Sequence, residues 1–207
     1  MEQLKPFDKV LEPDERLRYF GYTLENLHAS AAAIELHREV PELVHNQFTI
    51  ARNAYLYSWF VYSFLPVALL YSMLAVELAL SVRVKQANPA MFAGTRDPAL
   101  FRLLSHALQE RWITDDGFDL EVPDDAVVPD KIAKQFKNIP REQRYSFTLL
   151  DILVSLRNDL AHGNYMLAPG MGPLLQRGAE IINQLFPASS EQLTMPLKGK
   201  HGLSDLR

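Results

Sequence analysis

Apolar residues recur at Leu17, Phe20, Leu24, Leu27, Ala31 and Ile34, in steps of three and four. That spacing lines one face of a helix. It predicts a helix opening at Asp14-Glu15, after Pro13, and closing before Pro41. A second helix is expected from about Pro41 to Phe64, and a third from Pro66 to about Lys85. Asn88 to Arg96, with Pro89 and Gly94, reads as a loop. Asp97-Pro98 reads as an N-cap and first-turn proline for a helix burying Leu100, Leu103, Leu104, Ala107, Leu108 and Trp112. Residues 114–130 hold seven acids, Gly117, Pro123 and Pro129. They predict an exposed loop with a short hairpin at Phe118–Val122. The acids lack the spacing of a calcium loop. A further helix is expected from Arg141 to about His162, with Leu149, Leu153, Leu156 and Leu160 inward and Gly163 as its left-handed cap. After a turn-rich stretch, 164–172, a last amphipathic helix runs from Pro173 to Phe186. The expected fold is all-α, an up-and-down helical bundle with additional helices and an acidic loop insert.

The chain has 207 residues, of which 48% are hydrophobic and 22% charged, enough for the core of one domain. The expected division is an N-terminal arm at 1–13, a helical domain at 14–186 and a flexible tail at 187–207. Formal net charge is −4, which argues against a uniformly basic nucleic-acid-binding surface but not against a local basic patch. With no cysteine, disulfides, thiolate metal sites and cysteine nucleophiles are excluded. Ala54 to Val76 carries no charge and is long enough to span a bilayer. Pro66 interrupts it, hydroxyls and aromatics are scattered through it, and basic residues flank both sides, so two buried helices are the expected reading. The first residues lack the apolar run of a secretory signal. The expectation is a cytoplasmic protein without membrane contact.

Candidate chemistry is sparse outside one segment. The six histidines include no i, i+4 pair and no HExxH, and neither a phosphate-cradling loop nor a GxSxG elbow occurs. No metal or other cofactor is therefore expected. What remains is Leu156-Arg157-Asn158-Asp159-Leu160-Ala161-His162-Gly163-Asn164, at the end of a core helix. Asn158 and His162 are four apart and share a face, with Arg157 near its edge. Arginine grips a phosphate bidentately, and histidine moves protons near neutral pH. Together they suit metal-independent phosphodiester cleavage. Glu77 is the one charge between Ala54 and Val82. It needs a partner, and Arg157 is the candidate.

This segment resembles the HEPN superfamily, all-α bundles marked by an R-x4–6-H motif, often RNxxxH, on a late helix. The match is Arg157-Asn158-Asp159-Leu160-Ala161-His162, followed by Gly163. The apolar stretch Leu74-Ala75-Val76-Glu77-Leu78-Ala79-Leu80 looks like an earlier family helix that carries a glutamate. The resemblance covers about Asp14 to Phe186, apart from the acidic insert. It implies a metal-independent endoribonuclease with Arg157 and His162 catalytic and Asn158, Asp159 and Glu77 supporting. It also implies a homodimer, an RNA substrate, an antitoxin or regulatory partner, and a toxin–antitoxin or phage-defence setting. The alternative it leaves open is a catalytically silent module for dimerisation or for binding a partner or nucleotide.

Lys131, Lys134, Lys137, Arg141 and Arg144 are spaced by three or four and lead into the motif helix. They read as an RNA-backbone track or as a solvated face beside the acidic loop. Tyr165 is a further candidate RNA contact. Tyr55, Trp59 and Tyr62 fall on one helical face and are expected in the core rather than under bases.

Overall fold

The computed structural model describes residues 4–120, 127–163 and 172–188. Among them are eight α-helices, and the fold is an all-α bundle. The helices are α1 (Glu15–Tyr19), α2 (Leu24–Ala33), α3 (Glu42–Tyr57), α4 (Phe64–Ala87), α5 (Leu100–Gln109), α6 (Asp130–Gln135), α7 (Arg144–Ala161) and α8 (Gly172–Leu185). No strand occurs among the described residues. The expected hairpin is therefore absent as far as Leu120, and its last two residues lie outside the described segments.

The centre of the bundle is α4. It is apolar around most of its circumference, as a helix surrounded by others must be. It packs against α3, α5, α7 and α8. By length and composition α4 is apolar enough to cross a membrane, yet 56% of that window is buried inside the protein. Pro66 sits in its first turn, where a missing N–H leaves no helical carbonyl unpaired. Contact with α8 is close because residue 178 is glycine: a Cβ there would collide with Ser72 Oγ.

Several expected boundaries shift for local reasons. The first predicted helix is two. Gly21, at φ +77°, turns the chain through the left-handed region that glycine tolerates. Thr23 and Asn26 then form a reciprocal capping box that starts α2. Phe20 and Leu24, expected inside, are 45% and 37% exposed. The second helix stops at Tyr57 rather than near Phe64, so Tyr55, Trp59 and Tyr62 do not share one helix face. Tyr55 and Tyr62 are nonetheless core residues. The turn between α3 and α4 is held by Asp14, whose backbone N–H donates to Trp59 O while its carboxylate accepts from Tyr62 N. Burial pushes the Asp14 carboxyl up, but hydrogen bonds from the Arg16 side chain and backbone and from Tyr62 N outweigh it and hold it below its ordinary value. Asp97 does not cap α5, which begins at Leu100 behind Ala99. The loop before it contains a 3-10 turn, Pro89–Phe92.

The acidic insert departs most from expectation. Asp115, expected on the surface, is buried. Its carboxylate accepts hydrogen bonds from Tyr145 N at 3.0 Å, Ser146 N at 2.8 Å and Ser146 Oγ at 2.6 Å. A residue about thirty positions upstream thus caps the first turn of α7, whose N–H groups have no helical partner. Phe118 follows it into the core and meets Tyr145 edge-on at 5.2 Å. Gln143, also buried, donates to Leu108 O and Ile113 O. The motif helix consequently begins at Arg144, after a 3-10 turn at Arg141–Gln143, and is fixed to the rest of the bundle at that end.

Candidate functional site

α7 positions the motif. Phe147, Leu149, Leu150, Leu153 and Leu160 face the core, which fixes the rotation of the helix about its axis. Arg157 then falls on the side facing α4. Its Nη2 donates to Glu77 Oε2 at 3.1 Å. The pair suggested by the lone charge of the apolar stretch is thus present. Neither partner is deeply buried: the side chains are 32% and 23% exposed. Arg157 Nε is shielded from solvent and has no hydrogen-bond partner among the described residues. A guanidinium held by a single bond, with further donors uncommitted, can be oriented and still bind an incoming anion.

His162 is the residue that ends α7, and its backbone N–H closes the last turn onto Asn158 O at 3.0 Å. Gly163 follows at φ +74°, the left-handed conformation expected after a helix end. The His162 side chain is exposed. It stands five positions beyond Arg157, which amounts to about 7.5 Å of rise and roughly 140° of rotation. The two therefore point to different sides of the α7 terminus.

Asn158 and Asp159 are exposed, and neither side chain makes a hydrogen bond among the described residues. Asn158 does not orient the His162 ring, and the carboxylate that holds Arg157 is Glu77 rather than Asp159. Tyr165 lies outside the described residues.

The basic residues do not form one helical track. Lys131 and Lys134 are on α6, Lys137 is in the following turn, Arg141 is in the 3-10 turn and Arg144 opens α7. Lys131 is committed to Asp151 at 2.8 Å. Lys134 is exposed on α6. Lys137 and Arg144 instead meet at one cleft. They come together because the chain reverses at Asn138, at φ +61°, a conformation asparagine tolerates better than most residues.

No protein-family model matches this chain, and no curated protein or solved structure matches it either.

Sequence reasoning missed Asp115, Gln143 and the stacking of the Arg83 guanidinium over Trp112 at 4.7 Å. None has a local signature, because each depends on which distant helix lies alongside. The Glu77–Arg157 pair was legible because a single charge inside a long apolar helix demands a partner.

Proposed function

We propose that this chain is a HEPN-like, metal-independent endoribonuclease that acts as a toxin or phage-defence effector. The observation that carries the reading is the Arg157–Glu77 pair on α7 and α4, with an exposed histidine at the end of the same helix. The proposed reaction is transesterification. The ribose 2′-oxygen attacks phosphorus, the P–O5′ bond breaks, and the products are a 2′,3′-cyclic phosphate and a 5′-hydroxyl. His162 exchanges the proton at the 2′-oxygen or the leaving oxygen, and Arg157 stabilises charge on the phosphoryl oxygens. Glu77 is a positioning residue acting through Arg157.

The separation of Arg157 and His162 around the helix supports a site completed by a second copy. So does the helix terminus itself. The carbonyl end of α7 repels phosphate, so cations from two chains bind one scissile group better than cations from one. The proposed assembly is a homodimer, with an antitoxin or regulatory protein as a further partner. Expression of the protein in a bacterial host tests the reading. Growth arrest relieved by His162→Ala supports it, and arrest of equal depth from both proteins refutes it.

One observation favours a second reading, a silent docking module. Leu43, Ile50 and Tyr57 recur every seven residues on α3 and are 62%, 46% and 53% exposed. An exposed apolar line of this kind suits a packed partner.

A further inference from the structure

The chain reversal between α6 and α7 borders an open surface cleft of about 610 Å³, a volume within the range of small-ligand sites. Its apolar surface comes from Val128, Phe136 and Ile139, and its polar groups are Lys137, Asn138 and Arg144. The apolar side is rigidly backed. Phe136 is held edge-on by Phe147 at 5.0 Å and packs at 6.3 Å against Phe101. Gln143 pins the adjoining turn to Leu108 O and Ile113 O. The cleft is therefore already formed without an occupant.

Its cations are uncommitted among the described residues. Nearby basic residues are spent within the protein, Lys131 on Asp151 and Arg111 on Glu142. The side chains of Lys137, Asn138 and Arg144 have no hydrogen-bond or ion-pair partner among the described residues. Arg144 is half-buried and opens an 18-residue helix. A cation at that position faces the positive end of the helix dipole. The Asp115 carboxylate at the same helix end accepts from Tyr145 and Ser146 and makes no ion pair with Arg144. A partly desolvated guanidinium at a helix N-terminus, with no ion-pair partner among the described residues, keeps donors free for an anion from outside.

We propose that this cleft binds one nucleotide of a single-stranded RNA. The phosphate lies between Lys137 and Arg144, the base rests on Phe136 and Ile139, and the Asn138 amide reaches a base edge. The chemistry selects a nucleotide over a bare anion because cations and an apolar aromatic surface occur side by side in one open cleft. RNA as the polymer rests on the ribonuclease reading; the cleft itself takes part in no chemistry.

The test separates the two ideas by using His162→Ala protein, which binds without cleaving. A fluorescein-labelled single-stranded oligoribonucleotide is titrated and followed by anisotropy, with adenosine monophosphate and inorganic phosphate as competitors. Lys137→Gln/Arg144→Gln is expected to weaken binding at least about tenfold and to lower the salt slope by about 0.7 for each cation lost. Arg18→Gln, an exposed cation on α1, leaves it unchanged. Adenosine monophosphate competes at concentrations where phosphate does not. In the unsubstituted background, adenosine monophosphate shifts the backbone NMR signals of Val128, Phe136, Asn138 and Arg144, a readout independent of how well the double variant folds. Unchanged affinity of the double variant overturns the proposal. So does competition by phosphate equal to that of the nucleotide, or tighter binding of a phosphopeptide than of the oligoribonucleotide. Loss of cleavage alone in the unsubstituted protein leaves the binding result standing.

Discussion

Asp115→Ala removes the carboxylate that caps α7 and leaves every other contact of that helix in place. Three donors lose their acceptor: two backbone N–H groups and the Ser146 hydroxyl. All lie in a region where Asp115 itself is only 7% exposed, so water does not replace the lost partner easily. Hydrogen bonds to a charged acceptor are worth about 1.5–3 kcal/mol each, and a lost N-cap about 0.5–2 kcal/mol. These contributions are not additive. The substitution also removes the cost of burying a carboxylate, and the Ser146 hydroxyl can turn to a carbonyl of the preceding turn. The net destabilisation expected is about 3 kcal/mol. For a chain of this size that corresponds to a fall in Tm of roughly 6–12 °C. Thermal unfolding followed by far-UV circular dichroism at pH 7 measures it. Asp116→Ala is the control, since Asp116 is exposed in the same acidic run; its effect should lie within about 0.5 kcal/mol of zero. A Tm for Asp115→Ala within about 2 °C of the parent, or equal losses from both variants, would refute the assignment of Asp115 as the distant cap of α7.

Glu77→Gln keeps the shape of the Arg157 partner and removes its charge. With both side chains partly exposed, the stability change should stay under about 1 kcal/mol, whereas RNA cleavage should fall about tenfold as Arg157 loses its orientation; unchanged cleavage would remove Glu77 from the site. Gly178→Ala should destabilise by about 1–3 kcal/mol through its collision with Ser72 Oγ. Ser72 Oγ is buried with no hydrogen-bond partner among the described residues, so Ser72→Ala should be close to neutral and should abolish most of the Gly178→Ala cost in the double variant. A purely additive double variant in urea unfolding contradicts that contact. Gly163→Ala should cost about 1 kcal/mol, because alanine is strained at φ +74°; equal urea midpoints would contradict the left-handed cap. Asp14 titrates below its ordinary value of 3.8, so the folded state favours its ionised form. Its stabilisation is present above that value and is lost as pH falls through the lower folded-state value. The stability difference between parent and Asp14→Asn should therefore hold at neutral pH and vanish in strong acid, and a difference that grows on acidification would reverse the sign.

Much of the architecture was legible because it rests on periodicity. Most apolar positions of α5, α7 and α8 lie inside as their spacing required, although Leu156 and Leu174 are only partly buried and Trp112 falls beyond the end of α5 and is partly buried too. The continuous apolar run of α4 marked it as the helix the others surround. The boundaries that moved depend on competition between local signals. At Gly21 the periodic pattern continues across the break, but a left-handed turn and the Thr23–Asn26 capping box divide the helix. Asp97-Pro98 has the composition of a helix start, yet α5 begins only after Ala99. The acidic insert was misread because a net-charge argument treats all its acids alike. Asp115 is distinguished from Asp116 only by lying against the open end of α7, a tertiary relation with no trace in the spacing. In the candidate site, the Glu77–Arg157 pair followed from the isolation of one charge among apolar residues. The positions of Asn158 and Asp159 did not follow, because a helical residue beside an arginine has more than one face available to it. The basic residues showed the same limit. Equal spacing suggested one track, but the chain reverses at Asn138 and gathers Lys137 and Arg144 at a cleft instead.

The most direct test of the central claim is incubation of purified protein with total RNA and tRNA in the presence of EDTA, alongside His162→Ala and Arg157→Ala proteins of matched Tm. The account predicts cleavage by the parent that leaves 2′,3′-cyclic phosphate ends, and none by either variant. Parent protein that leaves the RNA intact, or His162→Ala protein that cleaves as fast as its parent, would contradict it.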